Sequence, residues 1–238
     1  MFAIFKKELK QYFTSPIGYV FIAVFMAVSG FFFWSVNIVF MTANMNSFFS
    51  QMTLVFLFMI PFLTMRLIAE EKSSGTDKLL FTVPVTTFQI VMGKALSAFS
   101  VFGITILCML VYPITLTFYY DGALAWGVIF SNYIGFFFMG SAYIAIGLFV
   151  SSLTENQIIS AVVTFAVLLV LYLIQLFADL FASNAVKSVI NAIAINVRYN
   201  KDFALGIINL PTVVYYLSVI AVFVFLTCRK LEVRKISG

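Results

Sequence analysis

From Val162 to Leu173 the chain is a continuous run of aliphatic and aromatic side chains, broken once, by Thr164. Such a run must be sheltered from water on every side. Six stretches of this kind, each roughly long enough for the 20 residues that a helix needs to cross a bilayer, can be read: Ile17–Val39, Asn46–Met65, Ala95–Phe118, Leu124–Val150, Ile158–Phe181 and Pro211–Cys228. Asp179, at the far end of the fifth, is the one charge that any of them contains. Composition agrees: 63% of the 238 residues are hydrophobic and 10% are charged, against about 45–50% and about 25% in ordinary globular chains. A soluble fold could not cover itself with so few polar groups. A cytosolic enzyme, a disordered chain, a collagen-like fibre and a disulfide scaffold are all excluded. Barrel strands would alternate apolar and polar residues, so the reading is an all-α polytopic membrane protein, a single transmembrane domain over residues 1–238 with six spans. The first apolar run is too long for a signal peptide, and no small-residue cleavage site closes it. Pro16 and Pro211 stand where helices can begin, and Pro61 and Pro113 predict a kink or an early end late in their spans.

The charges orient this topology. Eleven of the 14 lysines and arginines fall in residues 1–16, in the connection 66–94 or from Arg229 onward, and the same side carries six acids once Glu155 of the inner loop 151–157 is included. The other side carries Lys187, Arg198 and Lys201 against Asp121, Asp179 and Asp202. The positive-inside rule therefore places both termini in the cytoplasm, in the plasma (inner) membrane. The net charge of +5 lies wholly on that side. It is explained by lysines and arginines bordering anionic lipid headgroups, so no nucleic-acid partner is expected.

Three segments between the spans carry information. In Met1–Ser15, Phe2, Phe5, Leu9, Tyr12 and Phe13 recur at helical spacing with Lys6, Lys7 and Lys10 between them, which predicts an amphipathic helix lying in the interface. In the connection Arg66–Lys94, Glu70, Glu71, Lys72, Asp77 and Lys78 surround Ser73-Ser74-Gly75-Thr76. Thr76 is a candidate cap for a short helix through Leu79 and Leu80, which Val83-Pro84 would end. Beyond the fifth span, Val186, Val189, Ile190, Ile193 and Val197 form an apolar stripe, read as an interfacial or re-entrant helix on the outer side.

Chemistry is conspicuous by what is missing. There is no histidine, so Ser–His and Cys–His nucleophiles are unavailable. Cys108 and Cys228 lack metal-ligand spacing, and the ten methionines are scattered. Gly93-Lys94 fails as a phosphate-binding loop because Phe88 and Ala95 stand where glycine and a hydroxyl are required. No catalytic, cofactor or metal site is expected on the chain. The span interiors lack the acidic or basic residue that ion-coupled carriers use, which disfavours a secondary transporter. Ala23 with Ala27 and Ser131 with Gly135 are small-residue pairs that permit close helix approach.

The order of these elements resembles the permease of ABC-2-type (type V) ABC transporters. The local match is Glu70-Glu71-Lys72-Ser73-Ser74-Gly75-Thr76-Asp77-Lys78-Leu79-Leu80, then Pro84-Val85, then Gly93-Lys94, similar to that family's E-x-x-x-G-T-x-x-x-L … P-V … G-K stretch. Phe5-Lys6-Lys7-Glu8-Leu9-Lys10-Gln11-Tyr12-Phe13 with Ser15-Pro16 also resembles the gliding-motility and nitrous-oxide-reductase-maturation permeases. The resemblance implies a transmembrane permease subunit, an exporter, working as a homodimer or heterodimer of permease chains that pair mainly through the first and fifth spans. It implies separate ATP-binding cassette subunits that hold the ATP and Mg and receive a coupling helix, here Glu70, Glu71, Gly75, Thr76, Leu79 and Leu80. The inner loop Ser151–Gln157 would be a minor contact, and the outer segment Ala182–Leu210 would match the family's external re-entrant helices. Ser73 and Ser74 stand where many relatives carry arginine. A membrane anchor or mechanical relay built on the same fold is the alternative.

Overall fold

The computed structural model describes residues 1–76, 85–120, 122–178 and 194–237. Over these residues the chain is helical, with six helices long and apolar enough to cross a membrane. An N-terminal helix α1 (Phe2–Thr14) turns at Ser15 into α2 (Pro16–Phe33), which ends in a π turn at Trp34–Ile38. Then come α3 (Asn46–Thr64), the short α4 (Ala69–Ser73), α5 (Thr87–Cys108) and its continuation α6 (Val111–Tyr119). They are followed by α7 (Trp126–Leu153), α8 (Gln157–Ala178), α9 (Ile195–Lys201), a 3₁₀ turn (Phe203–Leu205) and α10 (Leu210–Ser237). Glu8 of α1 pairs with Lys94 of α5, and Glu232 near the end of α10 meets Thr87 at the start of α5, so both chain ends lie on one side. That side, rich in lysine and arginine, is called the basic face below.

The prolines act as their chemistry dictates. Pro16 opens α2, where its missing N–H would have had no partner. α3 stops at Thr64, one turn beyond Pro61. The third crossing breaks at Met109–Leu110 and resumes with Pro113 in the first turn of α6.

α3 and α7 form the centre of the bundle: 72% and 78% of their most apolar windows are buried, against 17% for α8 and 22% for α10. In a bilayer, close packing rather than water exclusion holds helices together, and small residues make the contact possible here. A Cβ on Gly147 would lie 2.3 Å from Thr64 Oγ1, and one on Gly140 would lie 2.3 Å from the Phe102 ring. Around Gly140 the rings of Phe25, Phe56, Phe102 and Phe136 are fully buried, with Phe56 and Phe136 centroids 4.2 Å apart. The Ser131–Gly135 pair also works within the chain, because Gly135 receives the Phe203 ring, while Ala23 and Ala27 remain exposed on α2.

The third crossing departs from the sequence expectation. Its helix begins at Thr87 rather than Ala95, started by a capping box in which the Thr86 hydroxyl accepts from the Gln89 N–H and Gln89 Oε1 accepts from the Thr86 N–H. Lys94 is thereby drawn into the bundle instead of flanking it. Placing the start after the charge followed hydropathy alone, and a buried partner for that charge overrides hydropathy.

Of the outer segment, residues 182–193 lie outside those described. The remainder is re-entrant, not interfacial. Tyr143, seventeen residues along α7, donates to Asn196 Oδ1, which puts the start of α9 at roughly 25 Å along that helix. From there α9 climbs back, with Tyr199 OH donating to Asn132 Oδ1 at 2.6 Å and Tyr216 OH donating to the Ile195 carbonyl at 3.0 Å.

Candidate coupling site on the basic face

The site is assembled from the ends of four membrane-embedded or interfacial helices. After Thr64 the chain leaves α3, and the backbone N–H groups of Ile68 and Ala69 both donate to Ser151 Oγ at 3.1 Å. The first N–H groups of a helix have no internal partner. Here a hydroxyl near the end of α7 supplies one to α4 and also donates to the Met65 carbonyl at 3.3 Å. One turn later the Lys72 ammonium, buried, donates to the Ser152 carbonyl. α4 is therefore fastened along its length to α7. The inner loop that opens at Ser151 is a structural support for the coupling segment in addition to any outward contact.

Across from α7, α4 is fastened by charge. Lys94 Nζ on α5 lies 2.9 Å from Glu71 Oε1 and 3.0 Å from Glu8 Oε1 of α1. Lys94 is 2% exposed and Glu8 6%. Lys7 adds an ammonium 3.5 Å from Glu71 and 3.6 Å from Glu8. A buried ammonium bridging two carboxylates is stable only because each charge is met: removal of one partner from such a cluster costs about 3–5 kcal/mol. Glu70, next along α4, turns the other way and takes both Arg66 Nε (2.7 Å) and Arg66 Nη2 (2.5 Å). Together these groups line a cavity of about 310 Å³, whose walls also include Gln11, Tyr12 and Ser74.

α1 is seated in this site rather than floating beside it. Its buried stripe is Ile4, Glu8 and Tyr12, spaced by one turn. Gly93 allows the seat, because a Cβ there would lie 2.8 Å from Ile4 Cγ2. Tyr12 OH donates to the Leu63 carbonyl at 3.0 Å, and burial, reinforced by the nearby Glu8 carboxylate, pushes that phenol's pKa up. Phe5 is half-buried, while Lys6, Lys7, Lys10 and Phe2 point outward. The periodic aromatics predicted the helix, but its packed face is centred on Glu8, the single acid among its lysines.

Of the six candidate coupling residues, Glu70 and Glu71 sit in the first turn of α4. Gly75 follows with φ +69°, and no described residue lies within 4 Å of where its Cβ would be. That left-handed turn is one which glycine adopts readily. Thr76 is exposed, its hydroxyl 2.9 Å from Ser74 Oγ. Leu79 and Leu80, with the helix that Thr76 was expected to cap, lie outside the described residues. Sequence reasoning passed over Glu8, Lys94 and Ser151. The signal that could have found the first was the Ile4–Glu8–Tyr12 stripe at i, i+4, i+8.

A multi-pass helical bundle, with a short acidic helix pinned beneath its central spans and an exposed glycine turn beyond it, has the form of the membrane component of a transport machine. A family model for the ABC-2 family of transporter proteins matches residues 2–228, and the chain belongs to that family. It is a membrane permease component of an ABC transporter, a class that works with an ATP-binding cassette partner. A comparison with curated proteins finds no match.

Proposed function

We propose that the chain is an ABC exporter permease, driven by separate ATP-binding subunits that push on the 70–80 segment from the cytoplasm. The basic face is the cytoplasmic one, both termini lie there, and the membrane is the plasma (inner) membrane; the distribution of lysine and arginine supports this orientation. ATP and Mg reside on the partner, and this chain supplies no catalytic group.

The observation that carries the reading is the two-sided fastening of α4: Ser151 on one flank and Lys94 on the other. Force applied at the exposed Ser73–Thr76 tip reaches α3 through the chain, α7 through Ser151 and Ser152, and α5 with α1 through Glu71 and Lys94. The central spans then shift together. A partner moves such an equilibrium only by its differential affinity for the two arrangements, so the ATP-bound state of the cassette subunits must favour one setting of α4. In this reading Glu71 acts inside the permease, as the link to Lys94, while Gly75, Thr76, Leu79 and Leu80 meet the partner. A second permease chain pairs against the exposed faces of α2, which bears Ala23 and Ala27, and α8.

The test is co-expression with candidate ATP-binding subunits. The expected result is co-purification, with crosslinking from a Thr76→Cys permease to the cassette subunit and ATP turnover that responds to the permease. Absence of any co-purifying ATPase, or crosslinks from the opposite face alone, overturns the assignment.

A further inference from the structure

A second feature of the basic face lies away from the coupling site. Between α5 and α10 runs an open groove of about 570 Å³, walled by Phe88 and Met92 on one side and Leu217, Ala221, Phe225 and Arg229 on the other. Its apolar walls are uncovered: Phe88 is 56% and Phe225 58% exposed. From Leu217 to Arg229 the groove rises about 18 Å at 1.5 Å per residue, close to the half-thickness of a hydrocarbon core about 30 Å across. Its charged end is where the first charges of α10 appear. There the Arg229 guanidinium sits 5.4 Å over the Phe225 ring and 3.1 Å from Glu232 Oε2. Glu232 Oε1 in turn accepts from the Thr87 hydroxyl at 3.1 Å. The carboxylate is thus met within the protein by two donors. A guanidinium has five N–H donors in a rigid fork, and Glu232 engages one nitrogen of Arg229. Arg229 and the neighbouring Lys230 are both exposed, so two cations stand against Glu232 at the charged end of an apolar slot one leaflet deep.

We propose that this groove binds a single anionic phospholipid from the leaflet on the basic face, one acyl chain lying along Ala221 and Phe225 and the phosphate held by Arg229. Charge complementarity selects the occupant: a zwitterionic lipid offers the same chain but brings its own ammonium to a site already cationic. Arg rather than Lys at this position suits a phosphate, which its planar fork can take with two parallel bonds.

Native mass spectrometry of the full-length protein, with its ATP-binding partner where the two assemble, tests the site. The purified protein is exchanged into detergent containing equal palmitoyl-oleoyl phosphatidylglycerol and palmitoyl-oleoyl phosphatidylcholine. One tightly retained phosphatidylglycerol per permease chain is expected. Arg229→Gln should lower its retention about tenfold, the equivalent of one charge-assisted hydrogen bond. Ala221→Trp fills the slot from an exposed lining position, and should abolish retention while the melting temperature in lipid-free detergent stays unchanged. Equal retention of the two lipids, or wild-type retention by both variants, overturns the proposal. So does disulfide crosslinking between two Ala221→Cys chains, which would show that a second copy covers the groove, and so does displacement of the lipid by a transported apolar substrate.

Discussion

At the basic face the helices are joined by ions: Lys94 stands 2.9 and 3.0 Å from carboxylates on α4 and α1. At the opposite face a network of neutral groups joins them, with the Asp202 carboxylate accepting from Thr212 nearby. Asn132 Nδ2 donates to Asn46 Oδ1 at 2.9 Å and to the Val128 carbonyl at 2.8 Å, and Asn132 Oδ1 accepts from Tyr199. Arg198, on α9, is stacked 4.2 Å over the Tyr215 ring. The contrast has a physical basis. The neutral bonds secure a re-entrant segment that must stay plugged into the bundle, where each hydrogen bond is worth little but leaves no uncompensated charge when it stretches. The ionic joint lines a cavity of about 310 Å³. It couples elements that must move together, because separating its charges is costly.

The largest expected effect breaks the ionic side. Lys94→Met leaves Glu8 and Glu71 facing each other with only the exposed Lys7 ammonium, 3.5–3.6 Å away, as counter-ion, and should cost about 3–5 kcal/mol, read as a collapse of melting temperature and of folded yield. Adding Glu8→Gln and Glu71→Gln to that variant removes the orphaned charges. The expected outcome is a recovered fold with ATP turnover that no longer responds to the permease. A triple variant that restores coupling as well as folding would show that the ion cluster merely stabilises.

Next in size is steric damage on the neutral side. A Cβ on Gly135 already sits 2.3 Å from the Phe203 ring, so Gly135→Leu must expel Phe203 from its seat, at about 1–3 kcal/mol for overpacking. Because the damage is confined to the plug, protease access around Phe203–Leu205 should rise while a Thr76→Cys crosslink to the cassette subunit persists. Tyr199→Phe is milder: loss of the 2.6 Å bond to Asn132 should cost about 0.6–1.7 kcal/mol, visible as a shift of a few degrees in thermal unfolding.

The two faces were unequally legible in the sequence. Apolar run length and the charge distribution announced six crossings and an even topology, because a bilayer imposes those rules on every residue it touches. The acidic pair Glu70 and Glu71 stands out in a local cluster of charge, and Gly75 is singled out by the family resemblance. The joint between Glu8 and Lys94 could not be read, since its partners are 86 residues apart and each looks like an ordinary flanking charge. Ser151 is another long-range case: a serine at a span end carries no mark that its hydroxyl will serve backbone groups 83 residues away. The outer segment left interfacial and re-entrant placements open, because its amphipathic stripe suits either surface. Tyr143 and Asn196, buried and paired, settle it for the part described.

The smallest effect sharpens the contrast between buried and exposed ions on the same face. Glu155, in the loop after α7, accepts from Arg234 Nη1 at 2.7 Å, and that hydrogen bond with the attendant positive charge holds its pKa below the usual glutamate range. A carboxylate with a depressed folded pKa adds stability that is present above its unfolded pKa, near 4.3, and is lost as pH falls through the folded value. Wild type should therefore melt slightly above Glu155→Gln at neutral pH, and the gap should close as the pH drops below about 4. Glu155 is fully exposed, so moderate salt, with a screening length of about 10 Å at 0.1 M, should shrink the gap as well. Lys94 is sheltered from both solvent and counter-ions, and the loss caused by Lys94→Met should be nearly the same in low and moderate salt. If salt instead erases the Lys94 effect and spares the Glu155 effect, the buried joint is wetter than its geometry implies, and the division between the two kinds of ion pair fails.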